Sequence, residues 1–85
     1  MPQFIQQFTH ELIDDNGVIY TASVYGEPRA DGTWEGWIEF NPLNSSQPTL
    51  RTPRETTQPD RSALAYWASG LEPLYLEGAF ERAKR

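Results

Sequence analysis

The chain has 85 residues, of which 38% are hydrophobic and 13% aromatic, with seven Pro, six Gly, no Cys and a formal net charge of -5. This length supports one domain, spanning residues 1–85, with a modest core, because a chain so short buries only roughly 60–65% of the surface its unfolded form exposes. The apolar content excludes a disordered segment, and the lack of cysteine excludes disulfides and thiolate chemistry.

Residues 4–13 admit two readings. Phe4, Ile5, Phe8 and Leu12 fit a helical face, whereas Phe8, His10 and Leu12 alternate as in a strand. The strand is favoured, at least for residues 8–13, because Asp14-Asp15-Asn16-Gly17 follows, and Asn-Gly supplies the positive φ angles of a tight hairpin turn. The chain then runs back through residues 18–27, with Val18, Tyr20, Ala22 and Val24 on one face and Ile19, Thr21, Ser23 and Tyr25 on the other. A second turn at Asp31-Gly32 leads into residues 33–40. There, Trp34, Gly36, Ile38 and Phe40 point one way and Glu35, Trp37 and Glu39 the other, so Trp37 is expected on a solvated face among charges.

Asn41-Pro42 and Asn44-Ser45-Ser46 interrupt this pattern, and Thr49-Leu50-Arg51-Thr52 predicts a short fourth strand at an edge before Pro53. Thr57-Gln58-Pro59-Asp60 resembles a capping box, with Asp60 an equally suitable cap for the helix that follows. Leu64, Trp67, Ala68 and Leu71 form that helix's apolar face, directed at Trp34, Ile38 and Phe40. Gly70 is placed to end it in a left-handed residue. Pro73 then suits the first turn of a second helix striped with Leu76, Ala79, Phe80 and Ala83. The expected fold is therefore α+β: an antiparallel meander of three or four strands followed by one or two C-terminal helices packed on one sheet face.

Charge divides unevenly along the chain. Residues 1–50 hold Arg29 against seven carboxylates, whereas residues 51–85 hold six cations against five. Nucleic-acid affinity rests on cations that neutralise phosphates, so an acidic sheet argues against a nucleic-acid partner. No apolar run approaches the ~20 residues that span a bilayer, and the start lacks a secretory pattern, so a cytoplasmic location without a membrane role is expected.

Three phrases, Ala30-Asp31-Gly32-Thr33-Trp34-Glu35-Gly36-Trp37-Ile38-Glu39-Phe40, Arg54-Glu55-Thr56-Thr57-Gln58 and Trp67-Ala68-Ser69-Gly70-Leu71-Glu72-Pro73, resemble those of small uncharacterised bacterial proteins. The resemblance implies a bacterial protein and transfers no activity and no functional residue.

Candidate chemistry is sparse. His10 is the only side chain that titrates near neutrality unperturbed, and a proton-transfer role would require a partner from elsewhere in the fold. One His and no Cys leave a metal only carboxylates, and Asp14-Asp15-Asn16 is too compact for a calcium loop and reads as a turn. Glu35 and Glu39 share a strand face but lie ~13 Å apart at ~3.3 Å per residue, outside the roughly 5–9.5 Å of a glycosidase pair, which excludes them as a pair with each other and leaves open a pairing of either with a residue from a neighbouring strand. No cofactor motif and no catalytic signature is present.

Two binding readings remain. The favoured one is a non-catalytic protein-binding or regulatory module that meets a protein partner, or a second copy of itself, through the sheet face bearing Ile19, Tyr25 and Trp37, rimmed by Glu35 and Glu39 and joined by Arg51. The alternative is an anion or small-ligand site, or an enzyme, at the first helix's N-terminus. It would use Arg54, Thr56, Thr57, Arg61 and Ser62, with His10 or Glu55 in proton transfer. Asp60 opposes that alternative by placing a negative charge where the anion would sit.

Overall fold

Two hairpin turns built alike set up the sheet. The computed structural model describes residues 1–44 and 46–85, and in it β1 (Gln3–Ile13), β2 (Ile19–Pro28) and β3 (Trp34–Pro42) form an antiparallel meander. In the first turn, Gly17 N donates to Asp14 O and Asp14 N to Val18 O, both at 3.0 Å. In the second, Gly32 N donates to Arg29 O at 3.0 Å and Arg29 N to Thr33 O at 2.7 Å. Only the glycine is left-handed in each turn, with φ +81° at Gly17 and +90° at Gly32. Asn16 therefore does not share the positive φ expected of it, because the loop is a three-residue turn closed by a left-handed glycine rather than a two-residue one. Asp14 Oδ1 accepts from Asn16 N at 2.8 Å and Val18 N at 2.9 Å, which gives that carboxylate a turn-forming role. Among the breaker residues after β3, Asn44 is left-handed at φ 51°, and Ser45 lies outside the described residues.

β1 starts at Gln3, so the strand reading extends through the ambiguous residues. It pairs Phe4 with Tyr25, Gln6 with Val24, Gln7 with Ser23 and Leu12 with Tyr20, with irregularities between Phe4 and Gln6 and between Gln7 and Glu11. The first irregularity switches parity: Phe4 shares Tyr25's face, whereas Gln6 shares Val24's. Such bulges twist an edge strand away from further pairing.

β4 (Leu50–Arg51) and a strand not anticipated from the sequence, β5 (Thr56–Gln58), pair with the same edge of β3. Between them Thr52 N donates to Ile38 O at 2.9 Å and Glu55 N to Gly36 O at 2.8 Å, so the ladder is carried across the gap at Pro53, which has no N–H to give. Thr57 belongs to β5, opposite Glu35, and is not a helix cap. The cap of α1 (Arg61–Ser69) is Asp60, whose carboxylate accepts from Ala63 N at 2.8 Å.

The helical region is two helices, α1 and α2 (Pro73–Ala83). Gly70 is right-handed, at φ -94° and ψ -1°, and so does not end α1 in the left-handed conformation expected of it. Its N–H instead bonds Trp67 O in a final tight turn, leaving its lack of a Cβ unused for chirality. Leu76, Ala79, Phe80 and Ala83 are buried as the periodicity required, and Phe80 lies 5.1 Å from the Phe40 ring and 5.2 Å from Tyr20. Leu64 of α1 sits over Gly26 and Gly36, which face each other across β2 and β3. A Cβ built on Gly36 would come 2.6 Å from Leu64 Cδ1. Both helices thus pack on the Tyr20, Ala22, Val24, Ile38 and Phe40 face, and the opposite face carries no helix or strand among the described residues.

Candidate functional site: the uncovered sheet face

Strand alternation places Phe4, Glu11 and Ile13 of β1, Ile19, Tyr25 and Glu27 of β2, and Glu35, Trp37 and Glu39 of β3 on the uncovered face, with Arg51 of β4 beside Glu39. Phe4 (51% exposed) meets Tyr25 edge-on at 5.8 Å, and Ile13 (64% exposed) pairs with half-buried Ile19.

Trp37 lies on this face, as its phase required, but it is not solvated: it is 1% exposed. The expectation of an open indole is corrected by its neighbours. The Arg51 guanidinium lies 4.0 Å from the ring centroid, Tyr25 stands directly across the ladder, and Trp37 Nε1 donates to Glu39 Oε2 at 3.0 Å. Cation–π stacking and a satisfied indole N–H explain why a Trp is stable on a face without a covering layer. Arg51 is therefore committed to Trp37, and the accessible aromatic surface belongs to Phe4 and Tyr25. Acrylamide should accordingly quench the fluorescence of half-buried Trp34 and Trp67 while leaving a protected component. That component should vanish in Trp37→Phe; a fully quenchable wild type would contradict the Arg51 stacking.

The residues of the alternative anion site are dispersed. Thr56 and Thr57 are in β5, and Thr56 Oγ1 accepts from Gln58 Nε2 at 2.7 Å. Arg61 turns to the opposite sheet edge, donating to Gln3 Oε1 at 3.2 Å and Phe4 O at 3.3 Å. Arg54 and Ser62 are exposed, and Asp60 occupies the helix N-terminus that the anion would need. His10 bonds Glu77 of α2 at 2.9 Å.

Sequence reasoning named Glu55 as a proton-transfer candidate but missed the partners that hold it, Tyr75 and Arg82. Glu55, whose side chain is 7% exposed, accepts from Tyr75 Oη at 2.5 Å and from Arg82 at 2.6 and 3.1 Å. Burial pushes the carboxyl up, but the hydrogen bonds from Arg82 and Tyr75 outweigh it and hold Glu55 below the ordinary range. Burial, then the Glu55 contact, push the Tyr75 phenol up to about 12. Both carboxylate oxygens are occupied and proton affinity is lowered, so Glu55 is a structural anion rather than a base poised near neutrality. The signal available was Tyr75 and Arg82 seven residues apart, on one face of α2.

Among the described residues no helix is long and apolar enough to cross a membrane, and no group of three or more His, Asp or Glu side chains is placed to hold a metal. Fold and face together define a class: a two-layer α+β domain, helices on one side and an acidic, partly aromatic sheet surface on the other. No protein-family model matches the chain, and comparisons with curated proteins and with solved structures find no match.

Proposed function

We propose that the chain is a small non-catalytic binding module that receives a basic protein partner on its uncovered sheet face. The observation that carries this reading is the charge of that face. Its strands present Glu11, Glu27, Glu35 and Glu39 against Arg51, whose guanidinium is spent on Trp37. Exposed Phe4 and Ile13, with half-buried Tyr25 and Ile19, supply apolar area between these carboxylates. Apolar centres ringed by one sign of charge favour a complementary partner, and the charge speeds encounter and rejects like-charged surfaces. Two copies meeting through this face would oppose carboxylate to carboxylate, which ranks self-association below a basic partner.

Trp37 is unsuitable for testing this because it is buried, so the test changes exposed positions. The partner captured by the wild type at low salt should be lost with Phe4→Ser combined with Tyr25→Ser. It should be retained with Tyr66→Ser combined with Leu74→Ser, which alter side chains exposed on the helices. Capture that survives the first pair and fails with the second would move the interface to the helical side and end this reading.

A further inference from the structure

The uncovered face already holds one guanidinium, and the way it does so points to what a partner would bring. Arg51 stacks on Trp37 at 4.0 Å, with Glu39 directly across the ladder from it. Tyr25 stands opposite Trp37, and beside it Glu27 and Glu35 face each other across β2 and β3. Like charges directly opposite destabilise a sheet. Little within the chain relieves this pair: Glu27 has the terminal ammonium of Met1 at 3.6 Å, and Glu35 has no ion-pair partner among the described residues. Phe4 bounds the Tyr25 ring edge-on, 80° from its plane, and leaves the ring half-exposed beside the carboxylates.

Resting on the basic-partner reading above, we infer that the partner contributes an arginine side chain that stacks on Tyr25 between Glu27 and Glu35. The arrangement is chemically that of Arg51 on Trp37, an aromatic ring with carboxylate beside it, one strand away and, among the described residues, with no cation stacked on its ring. A guanidinium fits better than an ammonium because its plane stacks on a ring while its N–H edges reach carboxylates on both strands. Two carboxylates face the incoming cation, so binding falls steeply with salt.

The probe is the peptide acetyl-Gly-Arg-Gly-Arg-Gly-amide, with its lysine counterpart, titrated into the isotope-labelled full chain at low salt and followed by NMR. Amides near residues 25–27 and 35–37 should shift and saturate, and the arginine peptide should bind about fivefold more tightly than the lysine one. Glu35→Gln should weaken binding by about fivefold while raising the melting temperature by about 2 °C, since it relieves the cross-strand repulsion. A gain in stability with a loss of binding separates a recognition role from a structural one, and Tyr25→Leu should also lose the arginine preference. Equal binding of the two peptides, shifts confined to other residues, or unchanged affinity in Glu35→Gln would each overturn the inference. If the arginine peptide fails while Phe4 and Tyr25 are still needed to capture a partner, this inference falls and the broader binding reading stands.

Discussion

Gly26→Ala should destabilise the fold by about 3 kcal/mol, measured as the shift in urea midpoint at constant slope. A Cβ there would meet Leu64 Cδ2 and also lie 2.8 Å from the backbone oxygen of Glu35. Leu64 is fully buried, so its tip has no open space to retreat into, and the Glu35 carbonyl belongs to the paired strand. Gly36→Ala should cost less, about 2 kcal/mol, because its new Cβ meets Leu64 Cδ1 at 2.6 Å and the Thr56 methyl at 3.2 Å, both of them side chains. Leu64→Ala separates the two positions. It costs about 3 kcal/mol alone. Combined with Gly36→Ala, it should give a double variant about 1–2 kcal/mol more stable than the sum of the singles. Combined with Gly26→Ala, the recovery should be smaller, since the carbonyl clash persists. Additivity at both positions would mean that Leu64 does not occupy the space above the paired glycines.

That glycine pair shows what the sequence made legible. Alternation alone put Gly36 on the core side with Trp34, Ile38 and Phe40, and helical spacing put Leu64 on the face turned toward them. The register that brings Gly26 opposite Gly36 depends on the turn at Gly32 having three loop residues rather than two, a backbone choice that Asp-Gly does not dictate. Trp37 makes the same point about the face. Its direction followed from period two, whereas its burial depends on Arg51, fourteen residues along the chain, whose place is set by the two-residue pairing of β4. β5 escaped because three residues are too few for any periodicity. Local patterns carry directions, and long-range register decides what each direction meets.

Glu55→Gln should cost about 2 kcal/mol and flatten the acid limb of the stability profile. The amide keeps the carboxylate's shape but turns an N–H₂ toward Arg82 or Tyr75, so at least one of the hydrogen bonds at 2.5, 2.6 and 3.1 Å is lost. Arg82 is 41% exposed and regains water, which keeps the cost below that of stranding a fully buried cation. The pH signs are opposite on the two sides of the cluster. Glu55 is held below its ordinary value of 4.5, so an unfolded chain takes up this proton first. Its contribution is complete above about pH 4.5 and is lost as pH falls through the lowered folded value. Tyr75 is raised from 10.0 to about 12, so its contribution is complete below pH 10 and is lost between pH 10 and about 12, where the unfolded phenol ionises first. Tyr75→Phe should therefore be destabilised at pH 7 by about 1.5 kcal/mol, with the gap to wild type closing as pH rises toward 12. Glu55→Gln should differ most from wild type at neutral pH and converge on it as pH falls through the lowered folded value of Glu55. A Glu55→Gln gap that stays constant from pH 7 through the whole acid limb of the wild-type profile would show that the carboxylate is not the ionised hub tying α2 to the β3 edge through residue 55.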